Sequence, residues 1–316
     1  MPNPVVLVGG LGFVGRNILE VLTRNKDFVD LQPVIIDDLS NACPGYESLS
    51  VPAFAGSYQS SEAADFLTSY AGVRKVYIFL AGETRVAESG ERPHDFIAAN
   101  ISEPARFVTD VMKPGDQFIL ISTAGALFDG TFEISVDSSY CPKNFYGATK
   151  AAEEMILEKL VHQKGGEFSI VRMTNVFGRY SDNKKSAIHA FTRAAINGEK
   201  VTLNGDGKQT RDFVYAGDVG LGIATLASRM QRREAYKPIN MLGGGDSVSL
   251  MDVVSAIEHA ADKPLKYERV PARELLATEP RDVVASKKDI RELLPDFITP
   301  FAEGIRLTWD YYANRS

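Results

Sequence analysis

The chain has 316 residues, with 35 Lys and Arg against 41 Asp and Glu and a formal net charge of −6; 44% of residues are hydrophobic and 24% charged. These values exclude wholesale disorder, and the mild acidity leaves no footprint for nucleic acid or an anionic membrane. Cys43 and Cys141 are the two cysteines, too few for a disulfide framework or a zinc-ligand spacing, so no metal site is expected. No basic n-region or long apolar stretch marks a signal peptide or membrane span, and a cytoplasmic protein is expected.

In chain order, β-rich apolar runs at 5–8, 34–37, 76–80, 118–122 and 168–172 alternate with helical patterns at 15–24, 104–112 and 146–162. Such alternation predicts right-handed crossovers and a doubly wound parallel sheet, buried on both faces. The rhythm changes after Phe177. Residues 178–185 are polar and turn-rich, and short strands at 201–203 and 212–215 then interleave with helices such as 250–261. The expected organisation is a dinucleotide-binding domain over residues 1–178, with some later segments returning to it. A smaller α/β substrate-binding lobe would form mainly from 179–316.

The first run leads into Gly9-Gly10-Leu11-Gly12-Phe13-Val14-Gly15 and then a helix. Glycines at 9, 12 and 15 permit a tight turn, close approach of backbone N–H groups to a pyrophosphate, and close helix packing. Glycine-rich turns also serve purely structural ends. Here the second run ends in Asp37, 22 residues past Gly15. A carboxylate there can accept both ribose hydroxyls and repels a 2′-phosphate, which favours NAD over NADP. Asp37-Asp38 can otherwise simply solvate a turn.

The run 119–121 ends in Ser122-Thr123-Ala124-Gly125, and Tyr146-Gly147-Ala148-Thr149-Lys150 opens a helix. The four-residue spacing puts Tyr146 and Lys150 on one helix face. An ammonium beside a phenol is expected to lower the phenol pKa towards neutrality, and the Thr123 hydroxyl can bridge it to a substrate oxygen. Tyr-x-x-x-Lys by itself is common as a solvated surface pair.

In this order, behind that glycine loop, the set resembles the extended short-chain dehydrogenase/reductase family. More narrowly, it resembles the NAD-dependent nucleotide-sugar epimerase/dehydratase branch, and within that the UDP-hexose 4-epimerases. The resemblance runs from Val6 to about Leu294. It is carried also by Asp37-Asp38-Leu39-Ser40, Leu80-Ala81-Gly82 with Val86-Ala87-Glu88-Ser89, Asn100, Pro142 and Glu153 around the Tyr146 helix, and Arg172-Met173-Thr174-Asn175-Val176-Phe177-Gly178. The block from Gly205 to Tyr215, closing with Asp218-Val219, and the turn Asn240–Gly245 complete it.

The resemblance implies a Rossmann-type fold and NAD as cofactor, with Thr123, Tyr146 and Lys150 catalytic. The implied cofactor contacts are Gly9, Gly12, Phe13, Val14, Gly15, Asp37, Asp38, Ser57, Leu80, Ala81, Gly82, Asn100, Ser122, Tyr146, Lys150 and Met173. Substrate contacts would come from Thr84, Thr123, Asn175, Ser186, Arg211 and Asp282, with Arg211 clamping the diphosphate through its planar fork. The implied reaction is 4-epimerisation of a UDP-glucose or UDP-N-acetylglucosamine type of substrate. A homodimer through a four-helix bundle, built from 91–112 and the Tyr146 helix, is implied as well.

Five positions depart from the pattern. Dehydratases of the branch carry acids directly after the threonine, where this chain has Ala124 and Gly125; Asp129 or Glu88 can substitute. Glu279 replaces a diphosphate-binding arginine, with Arg281 two residues on. Ser286 stands at the gate beside the sugar C2 substituent and leaves room for an N-acetyl group. Gly56-Ser57 replaces Gly-Asp at the adenine end. A 4,6-dehydratase, a 4-ketosugar reductase, and a catalytically silent NAD-binding sensor or interaction protein remain alternatives. His94, His162, His189 and His259 have no ligand spacing and sit in no motif; Lys184-Lys185 reads as a solvated loop.

Overall fold

The computed structural model describes residues 3–128, 132–184, 186–271, 283–296 and 298–315. All five apolar runs become strands: Asn3–Val8, Leu31–Asp37, Val76–Phe79, Gln117–Thr123 and Glu167–Met173. Two further strands complete a seven-stranded, all-parallel sheet. Ala53–Ala55 pairs outside Leu31–Asp37, and Ile239–Leu242 pairs outside Glu167–Met173.

Successive strand residues point to opposite faces, and both faces are covered. Val5 and Leu7 face a core shared with Ile18 and Leu22 of the helix Phe13–Arg24 and with Val219, Ile223 and Met230 of Ala216–Arg232. Val6 and Val8 face the other core, with Phe107, Leu157 and Val161. This two-sided burial explains why these strands read as unbroken apolar runs.

The two strands that sequence patterning missed have separate causes. Ala53–Ala55 is short and largely exposed, with no alternation to detect. Ile239–Leu242 falls after the change of rhythm, and residues 240–242 read as part of a turn. They are instead strand, with Met241 and Leu242 fully buried; only 243–245 turn.

The glycine-loop helix and Ala216–Arg232 pack closely, since a Cβ at Gly220 would lie 2.7 Å from the Asn17 carbonyl oxygen. A third core lies among the helices Ala187–Asn197, Leu250–Ala261 and Phe301–Ala313, around Phe177, Phe191, Leu203, Val253 and Ile305. Around it are two-stranded sheets: Tyr267–Val270 with Val201–Asn204, Phe213–Tyr215 with Asn175–Phe177, and Thr210–Arg211 with Val248–Ser249. Val284–Ala285 pairs with Glu133–Ile134, the strand downstream of Thr123. Among the described residues no helix is long and apolar enough to cross a membrane.

Candidate active site

Many of the residues expected to form the site gather at the carboxyl ends of the central strands, where ligands of such sheets bind. Gly9 has φ +79°, and a Cβ on it would lie 3.0 Å from the Ala81 backbone nitrogen. The glycine loop therefore runs directly against Leu80-Ala81-Gly82. A Cβ at Gly15 would lie 2.4 Å from the Gly10 carbonyl, so the helix starts hard against the loop. That helix begins at Phe13 and Val14, with Gly12 as an N-cap that offers no side chain and no acid in the first turn. Its positive dipole end is left for an anion.

Asp37 is buried. Its carboxylate accepts from the Leu11 and Leu39 backbone N–H groups, each at 2.8 Å. Burial pushes its pKa up and those N–H groups pull it down. Four lone-pair sites on the carboxylate leave capacity for ribose hydroxyls. Asp38 caps its own turn by accepting from Ser40. Ser57 is exposed and follows Gly56, whose N–H is donated to the Asp37 carbonyl at 2.8 Å.

Gly82, at φ +139°, would place a Cβ 2.7 Å from the Asn100 Oδ1. Asn100 is buried on a π-helical turn, Ala98–Ser102. Its Oδ1 accepts from Glu83 N at 2.8 Å, and its Nδ2 donates to the Glu83 carbonyl and to Thr149 Oγ1. Its amide nitrogen thus ties the 82–84 loop to the Tyr146 helix. Ser122 is buried, and its Oγ has no hydrogen-bond partner among the described residues. Met173, opposite Thr123 in the sheet, accepts from Ala124 N at 2.7 Å. The glycine cradle, the receptive carboxylate and the orphaned Ser122 hydroxyl fit a dinucleotide.

Asn144 caps the helix Phe145–Gln163 by accepting from Gly147 N at 2.7 Å. A Cβ at Gly147 would fall 2.1 Å from the Ala126 carbonyl oxygen. This contact sets the helix start against the loop after Thr123. Tyr146 is 8% exposed, packs edge-on to Phe96, and is hydrogen-bonded by Thr123. Lys150, also buried, donates from Nζ to the Ile121 carbonyl at 3.0 Å and forms an ion pair with Glu153. Thr123, Tyr146 and Lys150 are therefore brought together.

The charge state differs from the one expected. Burial pushes the Tyr146 phenol up, and Glu153 and Glu154 push the same way; Lys150 and Thr123 pull it down without reversing the direction. Burial opposes the Lys150 charge, but Glu153 and the phenol outweigh it and hold the ammonium above its ordinary range. The spacing of Tyr146 and Lys150 carried no sign of this counter-charge.

Asn175 donates from N and Nδ2 to the Asp212 carbonyl at 3.1 and 2.9 Å, one residue from Arg211. Arg211 is half-buried and turns one guanidinium nitrogen onto the Thr210 carbonyl. Thr84 is exposed in the loop after Gly82. Ser186 caps the helix Ala187–Asn197 by accepting from His189 N. Ser286 is buried, with its N–H donated to the Ile134 carbonyl. Asp129, Lys185, Glu279, Arg281 and Asp282 lie outside the described residues.

Sequence reasoning missed the link that orients the helix. Arg172 is buried and bonds Glu154 from Nε and Nη2, at 3.2 and 2.8 Å, and Tyr140 at 2.9 Å. The adjacent acids Glu153 and Glu154 gave no signal by themselves, since only packing shows that both are buried and need partners. Among the described residues no cluster of His, Cys, Asp or Glu can hold a metal.

Residues 5–241 match the description of the NAD dependent epimerase/dehydratase family. UDP-glucose 4-epimerase of Azospirillum brasilense is 27% identical over 312 residues, covering 92% of this chain and 86% of its own. dTDP-D-glucose 4,6-dehydratase of Mus musculus is 26% identical over 334 residues, covering 98% and 88%. The solved structure of UDP-glucose 4-epimerase from Thermotoga maritima with UDP-glucose has a TM-score of 0.83 at 22% identity, covering 99% of both chains. Both reaction types are present among these relatives.

Proposed function

The chain belongs to the NAD dependent epimerase/dehydratase family, and from that membership we propose that it catalyses 4-epimerisation of a nucleotide-activated hexose of the UDP-glucose or UDP-N-acetylglucosamine type. One observation carries the choice of epimerisation. Thr123 and Tyr146 meet with no acid at 124 or 125, the positions from which dehydratases of the branch expel the sugar hydroxyl. Ala124 is fully buried, whereas a Cβ at Gly125 would meet nothing within 4 Å, so an acid would fit there and is absent. Glu88, the remaining described candidate, is paired with Arg85 and Arg92.

NAD held by the Gly9–Gly15 loop and Asp37 would supply a reversible hydride acceptor for the sugar C4, so net oxidation would be zero. In this reading Tyr146 acts through the ionised fraction that its raised pKa leaves and Lys150 and Thr123 favour, accepting the O4 proton and giving the same proton back to the epimeric alkoxide. Thr123 steadies O4 between those events. Lys150 holds the nicotinamide ribose and supplies positive charge beside the phenolate. Asn175 and Arg211 grip the diphosphate while the 4-keto sugar turns over. Anchoring that unreactive end orients the hexose.

A second copy of this chain is the partner we assign to the exposed apolar side chains Ile97, Met155 and Ile156, which are 39%, 57% and 38% exposed on the helices Pro93–Ile97 and Phe145–Gln163. These helices fit one half of a four-helix dimer interface.

The test is to incubate the purified protein and NAD with UDP-, GDP-, CDP- and dTDP-hexoses and follow the C4 configuration by NMR. Inversion at C4 without a 4-keto-6-deoxy product is expected. Accumulation of that deoxy product would make the protein a dehydratase, and stoichiometric consumption of reduced cofactor a reductase. Tyr146→Phe should lower turnover at least about a hundredfold with the melting temperature unchanged. Unaltered activity would favour a silent NAD-binding protein.

A further inference from the structure

Lys150 brings three N–H donors into the site. One goes to the Ile121 carbonyl, and the ammonium also lies against the Glu153 carboxylate, three residues along the same helix. Glu153 is fully buried, and apart from that contact neither carboxylate oxygen has a hydrogen-bond partner among the described residues. A buried carboxylate with one partner is costly to retain, and the chemistry proposed above makes no use of it. The adjacent Glu154 is occupied elsewhere, by Arg172 and by the Tyr140 hydroxyl at 2.6 Å.

We propose that Glu153 is a positioning residue: its carboxyl is the counter-group of Lys150, holding the ammonium beside the Ile121 carbonyl with a single N–H left for the cleft and, when ionised, offsetting the charge it presents to Tyr146. This inference rests on Tyr146 acting as the base. The groups facing Glu153 are Lys150, Tyr146 and Glu154 on its own helix, and Tyr58 from across the fold, which is itself hydrogen-bonded to Glu103. Lys150 is the one cation in this set, and Arg172 nearby is matched by Glu154.

Burial pushes the Glu153 carboxyl up to about 7, against the pull of Lys150. The counter-charge therefore develops across the neutral range. Below it the phenol feels the whole ammonium; above it a neutralised pair. As the pH rises through that range, the forming carboxylate opposes the ionisation of Tyr146 that a lone lysine would favour.

The test reads the phenol itself. The NAD-loaded protein is titrated while ultraviolet phenolate absorbance is recorded, and each spectrum is subtracted against the same protein carrying Tyr146→Phe. Glu153→Gln is expected to lower the Tyr146 midpoint by about one unit or more. A midpoint that stays or rises in a folded, NAD-binding protein overturns the proposal. If Glu153→Gln does not fold, the Glu153 carboxyl is followed instead by carbon-13 NMR. Lys150→Met should then raise its midpoint by about one unit or more, and an unmoved midpoint overturns the proposal equally. Neither readout needs turnover. Full activity in Tyr146→Phe would remove the proposed base and leave the Glu153 titration to be judged by itself.

Discussion

Gly147 shows how one missing side chain places its neighbour Tyr146. Its Cα faces the Ala126 carbonyl so closely that a Cβ would sit 2.1 Å away, and the obstructing atom is backbone. Gly147→Ala must push the helix start off the Thr123 loop. A destabilisation of about 1–3 kcal/mol and at least a roughly tenfold loss of turnover are expected from denaturant unfolding and initial rates. Wild-type values for both would refute the packing argument. Glu153 makes a second prediction at this scale. Its carboxyl titrates near 7 when folded and near the ordinary 4.5 when not, so between those values the folded chain holds a proton that the unfolded chain has released. The stability this contributes is full below 4.5 and lost as the pH rises towards 7. Melting curves across that window should fall more steeply for the wild type than for Glu153→Gln; parallel slopes would show that Glu153 ionises as easily folded as unfolded.

Among elements, the helix Phe145–Gln163 is bound to the strand Glu167–Met173 by the Arg172–Glu154 pair. Both side chains are buried, and the guanidinium lies 5.2 Å from the Phe128 ring centroid and 5.1 Å from that of Tyr140. Removing one member of such a pair strands the other's charge away from water. Glu154→Gln is therefore expected to cost about 3–5 kcal/mol, measured by denaturant unfolding. Adding Arg172→Met should recover part of that loss; a cost below about 1 kcal/mol would mean that water reaches the pair. The π-helical turn Ala98–Ser102 is the other device at this scale. It turns Asn100 inward to fasten the loop against Gly82, and such turns are frequent at functional sites.

At the scale of the whole molecule, Asp212 ties three segments together. Its fully buried carboxylate accepts from Gly244 N at 2.7 Å and Ala285 N at 2.8 Å. It thus joins the Arg211 strand, the turn leaving the large sheet, and the strand that returns beside Glu133–Ile134. The residues proposed to hold the diphosphate are in this way fixed relative to the strand Glu133–Ile134. Self-association belongs to the same scale. Met155→Glu, which places a charge among the exposed apolar side chains, should convert a dimer to a monomer in light scattering while leaving the fold intact. A wild-type chain that already runs as a monomer would remove the proposed interface.

Local patterns in the chain announced much of this protein. Continuous apolar runs marked strands buried on both faces, the glycine triplet marked the tight turn from strand into helix, and a four-residue interval put Tyr146 and Lys150 on one helix face. All of these follow from fixed backbone periodicities and need no knowledge of distant neighbours. Tertiary structure alone decided that residues 239–242 form a strand, because pairing with 167–173 buries them. It alone separated Glu153, which faces Lys150, from Glu154, which faces Arg172, since adjacent helix positions point in different directions. The protonation of the Tyr146 phenol was likewise out of reach of its neighbours in sequence, because it depends on burial and on every charge that folding brings within a few ångströms.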